Sequence, residues 1–349
     1  MAKTSTIRVG IVGAGGITRR RHIPGLQAVD GVEIVSVCNR SRSSSQEVAK
    51  ENGIGQVYDH WQELVTADDS DAVLIGTWPY LHCPVTLAAL DAGKHVFTQA
   101  RMAMNASEAR AMLTAARRNP QLVAQVSPAP HSLPVDPTVR RLISEGHVGD
   151  VLAVDIRQGG EFIDRDGPLH WRHDESLSGL NIMAMGMLYE TVLKWVGPAT
   201  RVTAMANTFV KARRGGDGTL VATTIPDHLG VLGELASGAQ LSLQVSAVMG
   251  HGWSGATVYG SEATLRYKLL DDQLYSARRG DEGEDPFRPV EIPDNERGGW
   301  RAEEEFVAAI RGEEAITRIN FVDGVRYMEF SEAVYRSIRD QRTVAVPFQ

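Results

Sequence analysis

Two stretches of the chain gather residue types that can bind and move charge. In the first, His95 to Asn105, the polar Gln99-Ala100-Arg101 separates the apolar run Val96-Phe97-Thr98 from Met102-Ala103-Met104. The second, Glu161 to Asp174, carries Glu161, Asp164, Arg165, Asp166, His170, Arg172, His173 and Asp174 around Trp171. Such a loop suits recognition of carbohydrate hydroxyls by groups such as Glu161 and Arg172, with Trp171 available to stack on a pyranose face. More often such a loop is held together by its own ion pairs. The i, i+3 spacing of His170 and His173 invites a metal ion, but no clear third ligand accompanies them, and no metal is expected.

The first stretch gains meaning from the elements around it. Val96-Phe97-Thr98 reads as a strand, and Asn105 followed by Glu108 reads as an N-cap box opening an amphipathic helix to Arg118. Gln99 therefore stands at the carboxyl end of a parallel strand, where open α/β sheets bind their ligands. Upstream, Ile7 to Val12 alternates as a strand into Gly13-Ala14-Gly15-Gly16, and a helical pattern follows from Ile17 to Gln27 with Pro24 as an interruption. Gly13, Gly15, Gly16 and Ile17 then form a turn whose backbone can approach a pyrophosphate, at a helix start that favours an anion. A second strand, Glu33 to Cys38, follows at the spacing a dinucleotide fold needs. It ends in Asn39-Arg40-Ser41, which lacks the carboxylate that usually holds the ribose hydroxyls of NAD and offers a cation to a 2′-phosphate. This slightly favours NADP, with NAD open, because an Asn also serves a ribose hydroxyl and the arginine can be a solvated loop residue. A third strand, Ala72 to Thr77, leads into Thr77-Trp78-Pro79-Tyr80-Leu81-His82. Thr77 and the Pro79 turn belong to the same edge, and His82 either lines the cofactor cleft or caps a helix.

Composition sets the bounds. The 349 residues, 43% hydrophobic and 23% charged, suit a globular protein of two domains. A net charge of −7 makes nucleic acid and anionic membranes unsuitable partners. Cys38 and Cys83 stand alone in apolar segments, which fits a reducing compartment. No apolar run reaches the ~20 residues of a membrane span, and the strand near residue 7 leaves no room for a signal peptide, so a cytoplasmic location is expected.

The proline-rich run Ser127 to Pro134 marks the expected domain boundary, giving residues 1–127 and 128–349. Beyond it come a helix from Val135 to Glu145, a strand from Val151 to Arg157 and a helical insertion from Leu180 to Trp195. Short strands then dominate, from Arg201 to Val210, Leu229 to Ala236, Gln240 to Val248, Thr257 to Tyr259, Ala263 to Leu270 and Gln273 to Arg278. Ser237-Gly238 signals a hairpin between two of these. Helices from Arg301 to Arg311 and Asp323 to Arg339 close the chain. The fold class expected is α/β, with a large, open, mostly antiparallel sheet in the second domain. A broad open face of that kind is usually covered, so a homodimer or homotetramer is expected.

With these pieces in place, the chain resembles the glucose–fructose oxidoreductase, inositol dehydrogenase and MocA (Gfo/Idh/MocA) family. The resemblance rests on Gly13-x-Gly15-Gly16, Ala88 to Val96, Trp171-Arg172 with Ser178-Gly179, Ala236 to Ala239 and the closing helix with Gly324. It implies an N-terminal Rossmann domain, a C-terminal α/β domain, NAD(P), and oxidation or reduction of a secondary alcohol of a sugar or polyol. The departures fall on the chemistry. Where the family reads Glu-Lys-Pro this chain has Gln99-Ala100-Arg101, and the helix that usually offers Asp and His offers Ala184 and Leu188. Replacements for proton transfer are then sought in Tyr189 and Glu190, beside Leu188, and in His170. Tyr189 can also be a core residue and Glu190 a solvated one. Arg101 and Asn181 join Glu161, Trp171 and Arg172 as substrate-binding candidates, since a guanidinium orients an anion but does not serve as a base. Three readings follow: an NAD(P)-dependent oxidoreductase on a sugar, polyol or glycoside with a non-standard acid/base set; a glycosidase that oxidises a sugar transiently; and a dinucleotide-binding protein without catalysis.

Overall fold

A computed structural model describes residues 6–348. The chain divides into two compact units, Met1–Pro128 with Arg301–Val325 and Ala129–Trp300 with Arg326–Gln349. The helical segment after Arg301 thus rejoins the first unit across some 170 residues of intervening chain, a closure that local periodicity does not announce.

In the first unit the strands are β1 (Ile7–Val12), β2 (Val32–Cys38), β3 (Gln56–Val57), β4 (Ala72–Ile75), β5 (His95–Thr98) and β6 (Ala124–Val126). They pair in parallel in the order β3-β2-β1-β4-β5-β6, which is the doubly wound dinucleotide order with its reversal between β1 and β4. The helices are α1 (Ile23–Gln27), α2 (Arg42–Asn52), α3 (Trp61–Thr66), α4 (His82–Asp91) and α5 (Ala106–Arg118). Later come α6 (Asp136–Ser144), α7 (Glu175–Ser178), α8 (Met185–Val196), α9 (Ala302–Ile310) and α10 (Phe321–Asp340), of which α9 packs against α1. The helix expected from Ile17 is broken instead into a π-helical turn, Thr18–His22, and the short α1. α5 is capped as expected, the Asn105 side chain accepting from the Glu108 N–H at 2.9 Å. Gly93 takes the left-handed conformation after α4, at φ 75°.

In the second unit the sheet contains nine strands. These are β7 (Val151–Gly160), β8 (Ala199–Asn207), β11 (His228–Leu235), β12 (Gln240–Gly250), β13 (Gly255–Gly260), β14 (Ala263–Lys268), β15 (Gln273–Arg278), β16 (Arg288–Pro289) and β17 (Val344–Ala345). Their order is β16-β15-β14-β13-β7-β12-β11-β8-β17. Every pair is antiparallel except β7 with β12. A separate hairpin, β9 (Ala212–Arg214) and β10 (Leu220–Ala222), stands outside it. Buried Val154, Ile156, Leu241 and Leu243 line one face, on which α8 packs, while Met205 and Leu232 stay exposed. The helical insertion starts at Met185 rather than Leu180, and the Gly238 turn joins β11 to β12 with Gly238 at φ 87°.

The parallel sheet is tightest where β1 and β4 end. A Cβ on Gly13 would lie 2.6 Å from Thr77 Cγ2 and 2.7 Å from Thr77 N, and Gly13 itself sits at φ 87°. A Cβ on Gly76 would strike the Gly13 carbonyl oxygen and Thr18 Oγ1. Two glycines are thus required for the turns to touch. Gly76→Ala is expected to cost about 1–3 kcal/mol through overpacking, together with a loss of dinucleotide affinity. Urea denaturation and a binding titration check this, and wild-type values in both would mean that the turns do not touch.

Candidate functional site

A cavity of about 440 Å³ opens at the carboxyl edge of the first unit's sheet, walled by Gly13, Gly15, Asn39, Arg40, Thr77 and Trp78. The β1 end supplies the glycine turn. A Cβ on exposed Gly15 would meet only the Gly76 carbonyl oxygen, at 3.8 Å. The protein's own packing therefore does not demand that glycine, whereas close approach of a pyrophosphate would. Ile17 follows on the exposed side, and the cavity's wall does not include it.

The β2 end is built differently from its sequence reading. The Asn39 side-chain oxygen accepts from the Ala14 N–H at 2.6 Å, and its amide donates to the Ser44 carbonyl (3.2 Å) and hydroxyl (3.0 Å). Asn39 is thus a bracket tying the glycine turn to the start of α2, which occupies the groups a ribose would need. Ser41 serves as the N-cap of α2, accepting from the Ser44 N–H at 3.4 Å. Arg40 is exposed, its guanidinium 5.5 Å from the centroid of the Trp78 ring. Arg42, by contrast, is held by Asp59 at 2.6 Å. Trp78, Asp59 and His60 belong to the cavity wall without having been singled out by sequence. Trp78 belongs to the run Thr77 to His82 at the same sheet edge, and its neighbour Pro79 is buried.

The turn after β5 is gripped by two buried histidines. His82, 0% exposed, places Nε2 3.0 Å from the Thr77 carbonyl oxygen and Nδ1 2.9 Å from the Arg101 carbonyl oxygen. It therefore joins the ends of β4 and β5 instead of lining the cleft. Burial pushes its pKa down, while the backbone bonds to Thr77 and Arg101 oppose that shift. His22 contacts the half-buried Gln99 amide through Nε2 and the Glu303 carboxylate through Nδ1. Its ring stands edge-on to Phe97, with centroids 5.0 Å apart. The Ala100–Arg101 peptide bond is cis. Arg101 is only 2% exposed, so the substrate-binding role expected for its guanidinium finds no open surface.

In the second unit, α8 corrects the acid/base expectation. Tyr189 is fully buried and stacked on Phe330, with centroids 3.6 Å apart, and its hydroxyl accepts from the Ala199 N–H at 2.8 Å. Burial pushes this phenol up to about 12. Glu190 is buried as well, accepting from the Ala129 N–H at 3.2 Å and from Lys194 Nζ at 2.6 Å. Burial raises its pKa and Lys194 counters the shift. Both side chains hold the fold, Tyr189 at the start of β8 and Glu190 at the residue where the second unit begins. Asn181, also buried, braces a turn by donating to the Ser178 carbonyl at 2.6 Å, so it too leaves the substrate-binding set.

The polar loop keeps Glu161, His170 and Arg172 exposed. His170 Nδ1 accepts from the Arg172 N–H at 3.2 Å, so the neutral ring carries its proton on Nε2. In that tautomer Nε2 donates a hydrogen bond toward a substrate oxygen. The Arg172 guanidinium lies 4.2 Å from the Trp171 ring centroid and covers one of the two faces a pyranose would use. Among the described residues no group of three or more His, Cys, Asp and Glu side chains is placed to hold a metal ion. Tyr189→Phe is expected to cost about 1 kcal/mol through the lost acceptor and to leave dinucleotide affinity unchanged. Thermal denaturation and titration of the variant check it; a large affinity loss with wild-type stability would restore a functional role.

Comparison with known proteins agrees with this geometry. Residues 7–126 match the family described as "Oxidoreductase family, NAD-binding Rossmann fold", and residues 137–266 match the "GFO/IDH/MocA C-terminal domain". The chain is 36% identical over 149 residues to the 1,5-anhydro-D-fructose reductase of Ensifer adhaerens, a stretch covering 43% of this chain and 44% of that relative. It therefore spans less than half the length of that relative. Levoglucosan dehydrogenase of Pseudarthrobacter phenanthrenivorans is 24% identical over 347 residues, covering 86% of each chain. A solved levoglucosan dehydrogenase in complex with NADH and L-sorbose superposes with a TM-score of 0.86 at 21% identity, covering 98% of this chain and 99% of that one, and so shares the fold. Two domain matches in sequence order, a parallel sheet in dinucleotide order and a large mixed second sheet place the chain in the Gfo/Idh/MocA oxidoreductase family.

Proposed function

We propose that the protein is an NAD(P)-dependent oxidoreductase acting on a secondary hydroxyl of a sugar, polyol or glycoside, with an acid/base set unlike the family's usual one. The observation that carries this reading is the cleft at the crossover of the parallel sheet, walled by the glycine turn, Arg40 and Trp78. The bound nicotinamide would accept or return a hydride, and the chain's own residues bind, orient and handle the proton. Gly13 and Gly15 let the pyrophosphate approach the start of the Thr18–His22 turn. Thr77, buried Pro79 and Gln99 shape the edge on which the nicotinamide half would rest. Glu161, Trp171 and Arg172 are the proposed carbohydrate contacts, and His170 is the proposed proton-transfer group, the neutral ring taking the hydroxyl proton in oxidation to become the imidazolium and returning it in reduction.

A second reading, dinucleotide binding without turnover, is favoured by one observation. Tyr189 and Glu190 are committed to structural contacts, while positions 100, 184 and 188 are Ala, Ala and Leu. Incubation with NAD+ or NADP+ and a panel of free sugars, polyols and aryl glycosides separates the cases. Net nicotinamide reduction is the expected result. Aglycone release without net absorbance change would replace it by transient oxidation, and tight binding with no turnover of any compound would leave the second reading.

The proposed preference for NADP rests on Arg40. Among the described residues Arg40 forms no ion pair, whereas Arg42 is neutralised by Asp59. A 2′-phosphate offers Arg40 a charge-assisted bond. Arg40→Ala should weaken NADP about 10-fold, near 1.4 kcal/mol, and NAD by less than about twofold, as read by calorimetric titration; equal losses would contradict a 2′-phosphate contact. Exposed Met205 and Leu232 lie on the same outward face of β8 and β11, the register pairing Thr203 with Leu232 and Met205 with Gly230. That apolar face supports a homodimer or homotetramer.

A further inference from the structure

We propose that Glu303 is a positioning residue for the nicotinamide side of the cofactor cleft, acting through His22 on Gln99. The inference rests on the dinucleotide-binding reading above. It begins with three side chains far apart in sequence that meet in the first unit: His22 at the end of the π-helical turn, Gln99 just past β5, and Glu303 on α9. His22 and Glu303 are both nearly inaccessible to solvent, at 1% and 2% exposure.

The chemistry of the contacts gives them a direction. The Glu303 carboxylate is only an acceptor, so His22 Nδ1 must carry the hydrogen between them. In the neutral ring, Nε2 then holds a lone pair, and it is the Gln99 amide nitrogen that faces it. The carboxylate thus fixes the imidazole tautomer, and the tautomer fixes which end of the Gln99 amide points inward. The amide oxygen is left as the end that Gln99 can turn toward a ligand. Loss of Glu303 removes the contact that favours the proton on Nδ1, and a proton on Nε2 would call for Gln99 to reverse.

The surrounding packing accommodates this arrangement at the expense of local propensity. Gly25 lies inside the short α1, where alanine would favour the helix, yet a Cβ there would stand 2.8 Å from Glu303 Cδ and 2.9 Å from Oε2. The missing side chain makes room for the carboxylate. Phe97 bridges the two sides, edge-on to His22 and 5.3 Å in centroid distance from Phe306 of α9. The neighbouring Glu305 is also fully buried but takes a different task, accepting from the Thr317 N–H at 2.9 Å and the Thr317 hydroxyl at 2.6 Å. Only Glu303 of this pair reaches the turn after β5 through a titratable ring.

Location supplies the function. In this strand order the pyrophosphate sits at the β1 turn and the adenosine ribose at the end of β2, so the nicotinamide half crosses toward β4 and β5. Gln99 closes β5, its N–H bonded to the Ile75 carbonyl of β4 at 2.9 Å. Glu303 should therefore influence the nicotinamide half of the ligand and leave the adenosine half alone.

The test compares NAD(P)+ with the corresponding ADP-ribose, which lacks only the nicotinamide, by calorimetric titration of the full-length protein. Glu303→Ala and Gln99→Ala are each expected to weaken the dinucleotide about 5–10-fold while ADP-ribose changes by less than about twofold. Glu303→Gln, which can still accept from Nδ1–H, should recover most of the loss. The double variant Glu303→Ala/Gln99→Ala should be no weaker than either single one, because both act on one contact. Retained ADP-ribose binding certifies a folded cleft in each variant, and Gln99→Ala, at a half-buried site, covers the case in which Glu303→Ala does not fold. Equal losses for both ligands, additive losses in the double variant, or no loss in Gln99→Ala would overturn the proposal. Failure of the wild type to bind either ligand would instead reject the dinucleotide reading itself.

Discussion

The fully buried His82 ring sets the geometry of the cleft, because it touches the turns after both β4 and β5. Its two nitrogens face two backbone carbonyl oxygens, of Thr77 and Arg101. Only the protonated ring donates to both, whereas burial favours the neutral ring. The two turns are therefore joined through one ring under opposing demands, and a shift of either breaks its contact with a backbone carbonyl oxygen. Around this clamp the glycine contacts allow no slack: Gly13 and Gly76 bring the β1 and β4 turns within reach of each other, and any Cβ there collides.

This rigidity explains how the edge of the sheet can stay in place while its side chains change. Ala100 stands between two held neighbours, Arg101 through its carbonyl oxygen on the His82 ring and Gln99 through its side-chain amide on the His22 ring. Those grips do not depend on what stands at position 100. In the second unit the same separation holds. Tyr189 and Glu190 are polar, yet their polar atoms are spent on Ala199, Ala129 and Lys194. Polarity in α8 thus reports satisfied burial, as buried polar groups generally do.

The parts legible in the sequence were those written in short-range patterns. The glycine turn, the order of the first strands, the Asn105 cap and the alternation of β11 through β15 each depend on residues within a few positions of one another. What escaped was of two kinds. Glu303 meets His22 across 281 positions, and nothing local marks a glutamate on an amphipathic helix as inward-facing. The second kind concerns α8, which is buried on nearly every side, so the neighbourhood of Leu188 in sequence did not identify the face that Tyr189 presents. Asn39 shows an intermediate case: its position at the end of β2 was read correctly, but its side chain binds the Ala14 amide and Ser44, which leaves the proposed discrimination between dinucleotides to Arg40.

We propose that the first unit holds a dinucleotide with its nicotinamide end against the turn after β5. A crystal structure of the full-length protein with bound dinucleotide measures this directly. The expected complex has the pyrophosphate on the Gly13–Gly16 turn and the nicotinamide ring within van der Waals reach of Gln99 or Ala100, with the His82 contacts intact. A nicotinamide placed away from that turn, or a pyrophosphate held elsewhere on the sheet, would contradict it.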